Sequence, residues 1–410
     1  MNVQNAISAA PAMSERRVSL LGALLVAIGP VSMALFTPAM PEIVHYFGST
    51  EAAVKLTLSL YFAGFAFAQL VCGPLSDGFG RKPITFAFML IYLLGSLLAL
   101  VSPTIETLIA ARFVQGVGAA VGIAISRAIV RDLFTGEQSA RIMNLVGIIL
   151  SIGPALAPTI GGLTMEAFGW HAIFICMVVS AIIIVVIIQR CMVETVTRDL
   201  SRIRPAALMR SYGTLLSSPY FVLTSLVLAG ATGAIYTQAT VLPFILMDRV
   251  GLTPSQFGLA MLMQSGAYFV GALIVRQLIP RFGAYRIVLP GLGFVALGSI
   301  VMAIVLRQYE PTLMLVMGPI AVYVFGIAFI TPAMFTAALA PFPAIAGAAS
   351  SMSGFFQMGG GLVGGLLCAA MGDPVLALAT VIPLMGMLAI ISWGFWQRLP
   401  EPPAARLTLG

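Results

Sequence analysis

Two polar side chains, Arg112 and Gln115, interrupt an apolar stretch that reads RFVQGVGAA. On a helix, residues three apart share one face, so these two side chains point the same way. An arginine inside apolar surroundings is energetically expensive, and such a charge is functional by default. We therefore expect Arg112 to serve a function. The alternative is an arginine whose head group reaches the outer surface while its stem stays buried.

A second polar group lies in the segment GPLSDGFGRKP, Gly73 to Pro83. Its glycines permit a tight turn against neighbouring helices. Asp77 can accept hydrogen bonds from a helix N-terminus, and Arg81 can pair with an acid on a neighbouring helix. The pattern indicates a structured charged loop rather than a merely polar one.

The sequence contains no residue pattern that is typical of an enzyme active site. The chain has two distant histidines, His45 and His171, and no acid within an apolar stretch, so no nucleophile–base or metal constellation is evident. Its four cysteines are far apart, which excludes a metal spacing or a disulfide framework, and no phosphate-cradling Gly-Lys-Ser/Thr loop occurs. We expect no metal, no cofactor and no enzyme. A membrane-embedded enzyme or receptor remains the less favoured alternative.

The elements that carry these residues are membrane helices. Of 410 residues, 60% are apolar and only 9% are charged, with a mean hydropathy of +1.05, which excludes an ordinary water-soluble protein. Crossing the hydrocarbon core takes about 20 helical residues. Twelve apolar runs of that length predict an all-α membrane protein; they lie at about 19–40, 52–72, 84–103, 107–128, 141–163, 170–189, 219–242, 255–275, 287–306, 312–332, 345–368 and 374–397.

The basic residues indicate an orientation. Most of the 21 Lys and Arg lie in the termini and alternate connections, whereas Lys55, Arg249 and Arg307 lie on the other side. The positive-inside rule then places both termini in the cytoplasm, and the net charge of +7 indicates orientation rather than nucleic-acid binding. The longest connection divides the chain into an N-terminal six-helix bundle (1–189), a cytoplasmic linker (190–218) and a C-terminal six-helix bundle (219–410).

An internal repeat supports this division. Phe79-Gly80 recurs as Phe282-Gly283, and Gly161-Gly162 recurs as Gly364-Gly365, in both cases 203 residues later. Equivalent positions in two halves predict a pseudo-twofold relation, which is a recurrent feature of secondary transporters.

These segments resemble the signatures of the major facilitator superfamily. GPLSDGFGRKP is similar to its loop signature, RFVQGVGAA to its second signature, and GIILSIGPALAPTIGG to the glycine-proline signature of its antiporter branches. With PAMPEI and RAIVRDLF, the chain resembles the bicyclomycin/chloramphenicol-resistance branch of drug:proton antiporters. The resemblance implies a gating cluster on the cytoplasmic side that includes Gly73, Asp77, Gly80, Arg81 and Asp132. For Arg112 it implies a role in proton movement or in structuring the cavity.

The glycine-proline signature also predicts a bend in the fifth span. Gly153, Pro154 and Pro158 allow the bend, and Gly161 with Gly162 permit close helix contact, although plain helix packing explains the glycines as well.

The resemblance implies efflux of small amphipathic drugs by alternating access, in exchange for protons, by a monomer in a bacterial inner membrane. Many members of the branch have an aspartate where this chain has Ala34, and no acid falls inside a predicted span. Coupling through another group, or uncoupled facilitated diffusion, therefore stays open. Export of an endogenous metabolite, an amino acid or a siderophore, is a further alternative.

A binding cavity at mid-membrane depth needs polar and aromatic side chains. Gln264 and Tyr268 share one helix face, and flexible methionine suits a surface that accepts several ligands. We expect an uncharged lining that favours neutral or weakly charged substrates, formed by Met33, Phe36, Tyr61, Gln115, Asn144, Tyr236, Gln264, Tyr268, Phe356 and Gln357.

Overall fold

The computed structural model describes residues 13–200 and 205–400, except for the side chains of residues 140, 144 and 147–151. Asn144, one of the expected cavity residues, thus has its side chain outside this part. Every regular element described is helical, in the order α1 (Glu15–Phe36), α2 (Met40–Phe47), α3 (Glu51–Phe79), α4 (Arg81–Leu100), α5 (Ile105–Ala119), α6 (Val121–Leu133), α7 (Gly136–Phe168), α8 (Trp170–Cys191), α9 (Pro205–Leu216), α10 (Pro219–Gln238), α11 (Pro254–Phe282), α12 (Val288–Gln308), α13 (Leu313–Leu339), α14 (Ala346–Met371) and α15 (Pro374–Trp396).

The predicted membrane helices are confirmed. Eleven stretches of the described residues are long and apolar enough to cross a membrane. Helix α7, with 33 residues, occupies the remaining expected span. The first span continues through a 3₁₀ turn into α2, and the fourth consists of α5 followed by α6. The bundle exterior is apolar and half-exposed at residues such as Leu94, Ile183, Val270 and Ile300, as lipid contact requires.

Polar caps and glycines determine where the helices begin and end. The Thr50 hydroxyl accepts from the Ala53 N–H at 3.2 Å at the start of α3, and Asp373 caps α15 in the same way at 2.7 Å. Gly80 and Gly283 have φ values of +108° and +80°, and each ends a helix; α4 begins directly after Gly80, whereas a short turn separates Gly283 from α12. These left-handed turns explain why Phe-Gly recurs at corresponding places in the two halves.

The buried apolar residues form two large cores. One contains residues of α1 to α8 together with a few from the second half, such as Phe244 and Met358. The other lies among α10 to α15. The few residues of the second half that join the first core mark where the two halves touch.

The repeated glycine pairs form equivalent contacts in the two halves. A Cβ on Gly161 would collide with the Leu35 carbonyl of α1, in the same half, whereas one on Gly162 would collide with the Pro254 carbonyl of the other half. Gly364 packs in the same way against α10 of its own half, and Gly365 packs against Ser59 of α3 across the interface. Each pair therefore holds its helix against its own half on one side and against the other half on the other.

The helix ends form two faces of the bundle. We call the face that contains the start of α1 and the end of α15 the terminal face, and the other the opposite face. At the opposite face the halves touch through the Thr159 hydroxyl, which donates to the Gly258 carbonyl at 2.9 Å, and through the Ser255 N–H, which donates to Glu166 at 3.2 Å.

Candidate functional site

Arg112 lies at the centre of a buried polar cluster. Its side chain is fully buried, so the alternative that its head group reaches the surface is wrong. Its Nη1 donates to the Gln115 carbonyl oxygen, one helical turn away. The Gln115 amide in turn donates to the Ser96 hydroxyl at 2.7 Å and contacts the Met177 sulfur at 3.3 Å. The shared face expected from the spacing thus joins α5 to α4 and α8.

Two aromatic rings cover the guanidinium of Arg112. Its central carbon lies 4.4 Å from the centroids of both Phe36 and Tyr61. The Tyr61 hydroxyl donates to the Gly29 carbonyl at 2.9 Å, and the Tyr92 hydroxyl shares a hydrogen bond with Ser32. Cation–π contacts stabilise a cation most where water is excluded. We call the following residues the Arg112 cluster: Ser32, Phe36, Tyr61, Tyr92, Ser96, Arg112, Gln115 and Met177.

Glycines allow the helices of this cluster to approach closely. A Cβ on Gly116 would collide with the Tyr61 carbonyl, and one on Gly118 would collide with the Tyr92 backbone. A Cβ on Gly95 of α4 would likewise collide with the backbone of Gln115. The glycines of RFVQGVGAA therefore position Arg112 and Gln115 between α3 and α4.

Several other expected cavity residues lie at or near the interface between the halves. The Tyr236 ring of α10 lies 5.5 Å from the Phe62 ring of α3, and Tyr268 lies close to Tyr236. Gln264 accepts from the Gln238 amide at 2.8 Å, so it is paired within the second half. Tyr61 adjoins Phe62, which places the Arg112 cluster one side chain from the interface.

The remaining expected residues are more dispersed. Met33 is buried in the first core, and the Gln357 amide donates to the Ser353 carbonyl of its own helix at 3.3 Å. The Phe356 ring lies 6.3 Å from that of Phe355. Within the described residues, these three side chains make no ring contact or hydrogen bond with the Arg112 cluster.

The charged loop forms the expected triad. Arg81 pairs with Asp77 at 2.5 Å and with Asp132 at 2.9 Å, and its Nη1 donates to the Ser76 hydroxyl at 2.6 Å. We expected Asp77 to accept hydrogen bonds from a helix N-terminus, and this is wrong. Glu194 instead accepts hydrogen bonds from the backbone N–H groups of Arg81 and Lys82 at the start of α4, at 2.8 and 3.1 Å. Asp77 precedes the turn on α3, whereas Glu194 follows α8 and meets the start of α4 directly.

Contacts across the halves at the terminal face involve Gly73, which belongs to the expected gating cluster, and other residues to which the sequence analysis assigned no role. Arg127 donates to the Ser350 hydroxyl at 3.3 Å and lies over the Phe335 ring at 5.3 Å. In the connecting helix α9, burial raises the pKa of Tyr212 to about 12, so its hydroxyl keeps its proton and donates to the Leu70 carbonyl at 2.5 Å. A Cβ on Gly73 would lie 3.9 Å from Ser351.

At the opposite face, Lys55 connects the two halves. Its ammonium group is fully buried, pairs with Glu51 of its own helix at 3.0 Å, and donates to the Gly372 carbonyl of the other half at 3.4 Å. It also lies 5.1 Å from the centroid of the Phe244 ring of the other half. In the sequence, this contact was indicated only by the position of Lys55, on the side of the membrane where few basic residues lie.

Further charged groups surround this contact. Partial burial raises the pKa of Asp248 above its ordinary range, and Glu51 of the other half raises it further, whereas His45 and Arg249 oppose the rise. Arg249 pairs with Asp373 within the second half at 3.6 Å.

The comparisons with known proteins agree with this architecture. Residues 21–367 match the family described as Major Facilitator Superfamily. The chain is 28% identical to the uncharacterized MFS-type transporter YdgK of Bacillus subtilis, over 90% of this chain and 93% of the relative. It is also 28% identical to Multidrug resistance protein D of Escherichia coli, over 92% and 96%. Among solved structures, a bacterial homologue of the human lysosomal transporter Spinster, inward-facing and occupied, matches with a TM-score of 0.68 at 15% identity, over 95% of this chain and 96% of that one.

Proposed function

Because this chain belongs to the major facilitator superfamily and is a transporter rather than an enzyme, we propose that it exports small amphipathic compounds by alternating access. One observation carries the proposal: the buried Arg112 cluster lies beside an interface at which two pseudo-symmetric halves meet through paired glycines. Rocking the halves about this interface exposes the space between them to one side of the membrane at a time.

One relative supports the outward direction of transport. It is named Multidrug resistance protein D, and export of drugs is one way to confer resistance to them. The distribution of Lys and Arg supports a cytoplasmic terminal face with both termini inside, in a bacterial inner membrane. The triad of Asp77, Arg81 and Asp132 then lies on the cytoplasmic side, and Lys55 keeps the outer side closed.

We further propose exchange for protons as the energy source. Because no acid falls inside a predicted span, we assign the proton site to titratable groups at the outer face, above all Asp248 with Glu51 and His45. A proton taken up there at the more acidic outer side removes the repulsion between Asp248 and Glu51 and favours closure of that side.

The coupling is tested with purified protein in vesicles that carry a pH-sensitive dye. Substrate added to vesicles with an imposed pH gradient is expected to change the internal pH in proportion to its flux. A flux that does not depend on the pH gradient contradicts proton exchange and supports an uncoupled facilitator.

The substrate class is tested in a strain from which this gene and the other exporters have been deleted. Restored expression is expected to raise resistance to several unrelated amphipathic drugs. Unchanged drug susceptibility together with accumulation of an amino acid or a siderophore in the deletion strain supports the metabolite exporter instead.

A further inference from the structure

The guanidinium of Arg112 has an unused hydrogen-bonding edge. Nη1 donates to Gln115, whereas Nε and Nη2 are buried without a hydrogen-bond partner. The central carbon of the group lies 4.4 Å from the ring centroids of both Phe36 and Tyr61. The edge formed by Nε and Nη2 is thus the part of the group that is free to bind a ligand.

This edge has the geometry of a fork for two oxygen atoms. The N–H bonds of Nε and Nη2 lie side by side in the guanidinium plane, and their spacing matches the two oxygens of a carboxylate. A neutral hydrogen-bond acceptor satisfies one of them and leaves the positive charge uncompensated. The unused edge thus favours an anionic group with two oxygens.

The described residues supply no anion at this place. Within the part of the chain that is described, no carboxylate pairs with Arg112, and the titratable groups that face it are the hydroxyls of Tyr61 and Tyr92. The described acids lie at helix ends or in connections. A buried cation without a counter-charge is expensive, so a ligand that brings a negative charge is stabilised here.

A route to the fork leads through the interface between the halves. Tyr61, whose ring centroid lies 4.4 Å from the guanidinium carbon, adjoins Phe62, and Phe62 contacts Tyr236 of the other half. Separation of the halves on one side therefore exposes the surroundings of Tyr61 to a solute. Apart from Arg112, these surroundings consist of aromatic rings and of uncharged polar groups such as the hydroxyls of Ser32 and Tyr92.

We propose that Arg112 binds the carboxylate of the transported compound, so that the substrates include amphipathic monocarboxylic acids. The proposal rests on the proposed transport function and narrows its substrate class from amphipathic compounds in general to acidic ones. Gln115 positions the guanidinium by holding Nη1, which leaves Nε and Nη2 directed to the carboxylate.

The test compares 2-naphthoate with 2-naphthamide, which have the same ring and differ in charge. Binding of each to the purified full-length protein is measured by equilibrium dialysis. The acid is expected to bind about tenfold more tightly than the amide, as one compensated buried charge allows. Equal affinity for the two compounds overturns the proposal.

Three variants locate the effect. Arg112→Gln removes the charge, and Gln115→Glu, which is nearly isosteric, supplies an internal carboxylate to the same guanidinium. Both are expected to reduce the acid-to-amide ratio to about one. Arg276→Gln removes an exposed arginine of α11 and is expected to keep the ratio of the unaltered protein. An acid preference that persists in Gln115→Glu and Arg112→Gln also overturns the proposal.

A chloride arm distinguishes the ligand's own carboxylate from a small inorganic anion. Binding is compared in chloride and in methanesulfonate, which has no carboxylate, at equal ionic strength. If the acid preference is present in methanesulfonate and absent in chloride, the fork holds a halide and the substrate assignment is wrong. Binding is measured here without transport. Equal binding of the acid and the amide therefore overturns the carboxylate assignment but does not contradict drug export, which is measured separately in cells. Lost export with a retained acid preference would instead contradict the proposed function alone.

Discussion

Replacing Lys55 by methionine tests whether its contacts keep the opposite face closed. The variant removes the hydrogen bond to Gly372 and the cation–π contact with Phe244, both made across the halves. The 3.4 Å hydrogen bond is long and contributes about 1 kcal/mol. The ring contact of a desolvated ammonium contributes about 1 kcal/mol more. A loss of about 2 kcal/mol shifts the equilibrium between the closed and open states about 30-fold towards the open state.

The native residue Cys368 can be used to measure this opening, so no cysteine needs to be introduced. Its thiol is fully buried on α14 and lies close to Thr240 and Lys55, where the halves meet at the opposite face. A membrane-impermeant thiol reagent reaches it only when that face opens. The rate of Cys368 modification in Lys55→Met is therefore expected to rise about 30-fold, in proportion to the open fraction.

The assay requires that the other thiols be removed and that a matched cation be tested. Cys72, Cys176 and Cys191 are replaced by alanine in all variants. Arg249→Met is the control, because Arg249 is a cation of the same face whose ion pair with Asp373 is exposed and stays within one half. A modification rate in Lys55→Met that stays within about twofold of the parent, or an equal rise in Arg249→Met, refutes the reasoning.

Three further perturbations are measured in the same preparation. Burial and Glu51 raise the pKa of Asp248, so a falling pH protonates its carboxylate and favours closure of the opposite face. The ratio of the Cys368 modification rate in the parent to that in Asp248→Asn is therefore expected to rise with pH. A ratio that stays constant with pH contradicts this. Gly162→Val places a side chain against a backbone carbonyl of α11 and is expected to abolish transport, whereas Gly293→Val, which faces open space, is expected to keep it. Asp77→Asn removes an ion pair of Arg81 and is expected to slow transport several-fold per molecule in vesicles; an unchanged rate shows that the pair does not limit the cycle.

Residues near one another in the chain were predicted well. Arg112 and Gln115 share a face because a helix turns once in about 3.6 residues, and that period needs no tertiary information. The twelve spans follow from hydropathy because every buried backbone group in lipid must be paired within its own helix. The repeat of Gly161-Gly162 as Gly364-Gly365 indicated equivalent places in the two halves, and their contacts are equivalent.

Contacts between distant segments were not predictable in the same way. Glu194 rather than Asp77 caps α4, because the residue that meets a helix start depends on which connection passes over it. Tyr92 and Ser96 join the Arg112 cluster because Gly95 and Gly118 let α4 and α5 approach closely.

The sequence alone determined that this chain crosses the membrane as helices, that its halves repeat, and that Arg112 is an isolated charge. The tertiary structure decided that the rings of Phe36 and Tyr61 pack against the Arg112 guanidinium, that its Nε and Nη2 have no hydrogen-bond partner, and that Lys55 reaches the other half. The physical reason lies in distance: hydropathy and helical period act over neighbouring residues, whereas the rotation and spacing of packed helices determine which side chains from remote segments meet.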